Sequence, residues 1–216
     1  MNKKMCYIFA AGDFSGVFTP VGEHIIIAAD AGYHHLEKLG IIPHVLVGDF
    51  DTIGSIPNHC DIVRFPAEKD FTDTELAIIE GIKRGCDCFT IYGAIGGKRL
   101  EHTLGNLALA ASYANKVRDI TLTDGSYMVK AIHNSSFEFT GTECGFISVF
   151  TISGKAEGVT VSNLKYSLTD GVLDSSNPTL CISNEFICGK KASISVKNGT
   201  LLIIWQNNQN NQRGKQ

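Results

Sequence analysis

A chain of 216 residues, 44% hydrophobic and 19% charged, holds enough apolar material for one large domain or two small ones. Its formal net charge is −3, with no Lys/Arg run or basic stripe, which argues against a nucleic-acid partner. No apolar run approaches the roughly 20 residues that span a bilayer, so no membrane role is expected.

In chain order, Cys6 to Ala10 and Ile25 to Ala29 read as short apolar strands, and the first of them fits the N-terminus better than a signal peptide does. Ala31 to Leu39 reads as a helix stopped by Gly40. Val45 to Val47 and Ile62 to Phe65 are the next strands. Asp73 to Arg84 has helical spacing through Leu76, Ile79 and Ile82 and ends at Gly85. A strand at Cys88 to Tyr92, a long amphipathic helix at Leu100 to Asn115 and a strand at Ile120 to Thr123 complete the alternation. Such alternation predicts an α/β domain with a mainly parallel sheet covered by helices on both faces, over residues 1–133. After His133 helical periodicity disappears. Short strands take over at Phe137–Thr140, Phe146–Ile152, Val159–Val161, Thr179–Ser183, Ala192–Val196 and Leu201–Trp205, separated by turns such as Asn198-Gly199. Residues 134–206 are therefore expected to form a small antiparallel β-sandwich domain. The Asn/Gln-rich stretch 207–216 has nothing apolar to bury and is expected to be disordered.

Seven cysteines, an odd number, are scattered along the chain. Only Cys86 and Cys88 are close, and that C-x-C lacks the second pair or the histidine that zinc requires. They read as reduced thiols of a cytoplasmic protein.

Ligands of parallel sheets bind beyond the strands' C-terminal ends. Four segments there carry charge or glycine. The first is Ala29-Asp30-Ala31-Gly32, where Asp30 also suits a helix N-cap. The second is Gly48-Asp49-Phe50-Asp51-Thr52. Two carboxylates held so close are unfavourable unless a cation neutralises them, and Mg²⁺ prefers carboxylates plus substrate phosphates. The third, Lys69-Asp70-Phe71-Thr72-Asp73-Thr74-Glu75, contains a capping box, Thr72 with Glu75, and opens a helix whose N-terminus attracts phosphate. In the fourth, Gly93, Gly96 and Gly97 allow backbone N–H groups to approach an anion, with Lys98 and Arg99 adding positive charge. No P-loop is present.

The ordered set Ala-Asp-Ala-Gly, Gly-Asp-Phe-Asp-Thr, Lys-Asp-x-Thr-Asp and Gly-x-x-Gly-Gly-Lys-Arg-Leu-Glu-His resembles the thiamine pyrophosphokinase family. Asn163-Leu164-Lys165-Tyr166-Ser167-Leu168 and Ser183-Asn184-Glu185 resemble its second-domain motifs. The resemblance implies a Rossmann-like domain followed by a β-sandwich, a homodimer, and Mg²⁺-dependent transfer of pyrophosphate from ATP to thiamine. It implies an acidic catalytic set of Asp30, Asp49, Asp51 and Asp73, with Asp49, Asp51 and Asp73 holding the metal. ATP would be bound by Lys69, Thr72, Gly93, Gly96, Gly97, Arg99 and His102, and thiamine by Ser183 and Asn184. Three positions depart from the family pattern: Glu101 replaces Asp, Thr52 replaces Ser, and Asn163 replaces a Gly but tolerates positive φ. Two other readings are a haloacid-dehalogenase-like Mg²⁺ phosphatase, which expects D-x-D-x-T where this chain has Ile53, and an inactive thiamine- or nucleotide-binding sensor.

Overall fold

The computed structural model describes residues 4–51, 53, 58–66, 70–152 and 154–207. The chain divides into two compact units, Met1–Asn106 with Val117–Asp124, and Leu107–Lys116 with Gly125–Gln216. No described helix is long and apolar enough to cross a membrane.

The first unit is built on parallel strands β1 (Met5–Phe9), β2 (His24–Ala29), β3 (Val45–Gly48), β4 (Asp61–Arg64), β5 (Cys88–Tyr92) and β6 (Asp119–Thr123), in the order β6-β5-β1-β2-β3-β4. The central strands are apolar on both faces because both faces are covered. Ile8, Phe9, Ile27, Leu46, Phe89 and Ile91 are fully buried. Helices α1 (Tyr33–Lys38), α2 (Asp73–Lys83) and the first turns of α3 (Leu100–Tyr113) belong to this unit. Gly40 and Gly85 follow the ends of α1 and α2 with φ of +69° and +81°, the left-handed geometry that stops a helix. The chain runs outward from β1 to β4 and then returns to the other side of β1 to begin β5. That reversal leaves a crevice beyond the C-terminal ends of β1 and β5, where doubly wound sheets receive ligands.

The second unit holds two antiparallel sheets. One has the order β12-β9-β14-β7, from β7 (Tyr127–His133), β9 (Phe146–Phe150), β12 (Asn184–Glu185) and β14 (Thr200–Gln206). The other has the order β11-β10-β13-β8, from β8 (Ser136–Glu138), β10 (Ala156–Ser162), β11 (Leu168–Leu173) and β13 (Ser193–Ser195). Ile147, Val149, Leu201 and Ile203 of the first meet Val159, Val161, Leu173 and Ile194 of the second in one apolar core, which makes the unit a sandwich.

One strand expectation needs correction, and two further strands, β7 (Tyr127–His133) and β11 (Leu168–Leu173), join those expected. Thr179 to Ser183 is a pair of turns, with Leu180 N–H donating to Asn177 O and Ile182 N–H to Thr179 O. Ser183, at φ +59°, then swings the chain into the two-residue β12. Two strands had no clean period-2 signal. β7 carries Lys130 in its buried interior, with the ammonium 4.8 Å from the Phe137 ring centroid. β11 is bent at Asp170, φ +54°, where its register with β10 shifts. Asn207, the first residue of the stretch expected to be disordered, donates its N–H to Ser126 O at 2.7 Å; residues 208–216 lie outside the described residues.

Candidate active site

Asp30, Asp49 and Asp51 converge just past the ends of β2 and β3. Among the described residues, they form a group with one carboxylate oxygen each, all within 4.8 Å of one another. The backbone accounts for the convergence. On a straight strand Asp49 and Asp51 would stand two pleats apart. Phe50 instead takes φ +67°, so the chain turns tightly there, and Asp51 N–H donates to Asp49 Oδ1 at 3.3 Å. Burial of the Phe50 ring, with the Arg64 guanidinium 5.0 Å from its centroid, holds this unfavourable conformation in place. Asp30 also has positive φ, +45°. It is the first residue of a 3-10 turn whose N-cap position is Ala29, one residue past the cap position expected for it. Gly48 makes room: a Cβ on it would lie 3.1 Å from Asp30 Cβ, and its φ of +153° suits glycine.

Crowded carboxylates repel. The charge of Asp49, foremost, with those of Asp30 and Asp73 among the lesser causes, pushes the Asp51 carboxyl above its ordinary range. A compact set of hard oxygen donors carrying excess negative charge fits a small divalent cation such as Mg²⁺. Asp73 lies outside the triad and acts on Asp51 through its charge.

A cavity of about 520 Å³ opens beside the triad, at the crevice between β1 and β5. Residues 10–13 after β1, Asp30 after β2, residues 72–74 at the start of α2, and Gly93, Gly96 and Gly97 after β5 line it, with Lys98, Arg99, His102 and Asn106. Thr72 is the N-cap of α2, its Oγ1 accepting from Glu75 N–H at 3.2 Å, as the capping box predicts. Lys69 lies outside the described residues. Arg99 Nε donates to Glu101 Oε1 at 2.7 Å across an exposed pair, and Arg99 holds the Glu101 carboxyl below its usual range.

Two backbone amides of the glycine loop have partners within the protein. Gly93 N–H donates to Thr123 O at 2.9 Å, and Gly97 N–H donates to Asp13 Oδ2 at 2.9 Å. Both amides are thus engaged by the protein, and the positive side chains at the cavity are Lys98 and Arg99. Asp13 and Asn106 were not picked out in the sequence. Asn106, buried, donates from Nδ2 to Ala94 O at 2.7 Å and ties α3 to the loop. Its place four residues after His102, on the same helix face, was the available signal.

In the second unit Ser183 is exposed and Asn184 is buried. The Asn184 amide is spent on backbone: Nδ2 donates to Tyr166 O at 2.7 Å, and Oδ1 accepts from Tyr166 N–H at 3.0 Å and Glu185 N–H at 2.9 Å. It therefore fixes the segment carrying Tyr166, an exposed aromatic residue. Asn163 adopts φ +58°, as expected for the residue standing where the family has Gly.

Comparison with known proteins gives one consistent answer. Residues 21–122 match the family model "Thiamin pyrophosphokinase, catalytic domain", and residues 130–201 match "Thiamin pyrophosphokinase, vitamin B1 binding domain". The chain is 30% identical over 190 residues to a thiamine pyrophosphokinase of Bacillus subtilis, covering 84% of this chain and 87% of the relative. A crystal structure of thiamine pyrophosphokinase from Bacillus subtilis superposes with a TM-score of 0.80 at 26% identity, covering 95% of this chain and 99% of that one. A thiamin pyrophosphokinase family protein from Enterococcus faecalis gives 0.77 at 25% identity over the same shares.

Proposed function

Because the chain belongs to the thiamin pyrophosphokinase family, we propose that it transfers the pyrophosphoryl group of ATP to the hydroxyethyl arm of thiamine, yielding thiamine diphosphate and AMP. The observation that carries this reading is the triad of Asp30, Asp49 and Asp51 at the rim of the cavity beyond β1 and β5. Such a transfer is mostly positioning and charge stabilisation, which suits a site of fixed carboxylates and cationic side chains. The thiamine hydroxyl oxygen bonds to the β-phosphorus as the bond from that phosphorus to the α,β-bridging oxygen breaks. The electron pair leaves with AMP.

Asp30, Asp49 and Asp51 would hold Mg²⁺, which when bound neutralises phosphate oxygens. Asp73 lines the cavity outside that triad; we assign it to orienting the attacking hydroxyl and accepting its proton. Lys98, Arg99 and His102 bind the triphosphate, with Arg99 exchanging Glu101 for phosphate oxygens. Thr72 sits at the N-terminus of α2, where a phosphate is favoured. Lys69 joins the nucleotide contacts on the resemblance alone. Ser183 contacts thiamine directly, while Asn184 acts by fixing Tyr166. A homodimer working in the cytoplasm on these small molecules completes the reading.

Incubation with ATP, Mg²⁺ and thiamine, omitting each in turn, tests it. AMP should appear only with all three present, in equal amount to thiamine diphosphate. ADP without thiamine diphosphate would overturn the proposal. Release of free phosphate from a generic phosphate ester would favour the phosphatase alternative.

A further inference from the structure

Cysteine occupies seven positions, and sequence spacing suggests no partnership between Cys144 and Cys188, 44 residues apart. The second unit brings them together. Cys144 precedes β9 and Cys188 follows β12, and their Sγ atoms lie 2.6 Å apart, about 0.6 Å more than a disulfide bond. The pairing of the two strands brings their flanking segments side by side. Asn184 faces Ile147 and Glu185 faces Phe146, and Phe186 N–H continues the ladder to Gly145 O at 3.0 Å. Carried on, that register would set Ile187 opposite Cys144, so Cys188 stands one residue past the facing position, where the chain leaving the ladder brings its sulfur to that of Cys144.

Access separates this pair from the other close pair in the chain. Cys6 and Cys86 hydrogen-bond to one another but are 0% and 4% exposed. Cys188 is exposed and Cys144 partly so. Cys188 beside it pushes the Cys144 thiol above its ordinary range, so Cys144 keeps its proton in the resting pair. The outer sulfur, Cys188, is the one a small reagent meets first.

We propose that Cys144 and Cys188 form a reversible modification site that reacts with low-molecular-weight disulfides and closes into a bridge between the start of β9 and the end of β12. The Cys188 thiolate attacks one sulfur of the small disulfide RSSR and expels RS⁻, leaving a mixed disulfide. Cys144 then gives up its proton, attacks Cys188 Sγ and expels the second RS⁻. The two protein thiols lose two electrons, RSSR is reduced by two, and the two protons end on the two RSH released. The bridge clips the two-residue β12 to its partner strand, and its chemistry is independent of the proposed activity.

The test uses the full chain, folded, with excess oxidised glutathione, followed by intact mass, non-reducing peptide mapping and hydrogen exchange. The expected result is loss of two hydrogens, a peptide linking residues 144 and 188, and severalfold slower exchange at the Phe186 amide. Dithiothreitol should reverse all three. Cys144→Ser should instead retain one glutathione on Cys188. Wild-type mapping decides the matter even if that variant does not fold. Seven free thiols after exposure, or a bridge through any other pair, would overturn the proposal.

Discussion

The acidic triad sets function against stability. Replacing Asp49 or Asp51 by Asn keeps shape and removes one charge. Either change should lower kcat on the order of 100-fold or more, the usual loss for one preorganised electrostatic contact. The same logic gives an opposite effect on the metal-free fold. Asp51 is pushed up chiefly by Asp49, so its charge is unfavourable in the folded state. In chelator, Asp51→Asn should melt above wild type, and added Mg²⁺ should raise the wild-type Tm more than the variant's. A variant that melts lower in chelator would mean the repulsion is relieved some other way. The acids were legible because strand–loop–helix alternation puts them at strand ends. The backbone route by which they converge was not, because it depends on positive φ at Phe50, which residue type does not suggest. The partners of Asn184 escaped detection for a related reason: Tyr166 lies 18 residues away, and only the folded sandwich brings it near.

At the scale of elements, β3 and β5 position the site through their last residues. Gly48 ends β3 against Asp30, so Gly48→Ala should cut activity well beyond its cost in stability, read as kcat against Tm. Tyr92 ends β5 with its ring stacked on Phe9, centroids 4.8 Å apart, and burial pushes its hydroxyl up to about 12. A value raised by folding means that the folded state favours the neutral phenol. That contribution is complete below the ordinary tyrosine value of about 10 and is lost as pH rises through about 12. Tyr92→Phe should therefore lose less Tm than wild type between those two pH values. Equal losses would mean that another group controls the alkaline transition. The parallel strands were readable as continuous apolar runs. Strands β7 and β11 were not, since a buried lysine in one and a bent Asp-Gly step in the other break the alternation that marks a half-buried strand.

For the whole molecule, both expected fold types are present, a mainly parallel α/β unit and an antiparallel sandwich, each with its own core. Light scattering on the purified chain should give twice its 23.4 kDa if the proposed homodimer forms. A monomer with full activity would contradict that part of the reading. Ser183→Ala should raise KM for thiamine with little change in KM for ATP, because Ser183 is assigned to the thiamine side alone. The central claim is that the β- and γ-phosphates move together. The most direct measurement follows the β-phosphate of ATP labelled only there, during turnover with Mg²⁺ and thiamine. The account predicts the label in thiamine diphosphate, with unlabelled AMP released. Label remaining in ADP, with a single phosphate transferred, would contradict it.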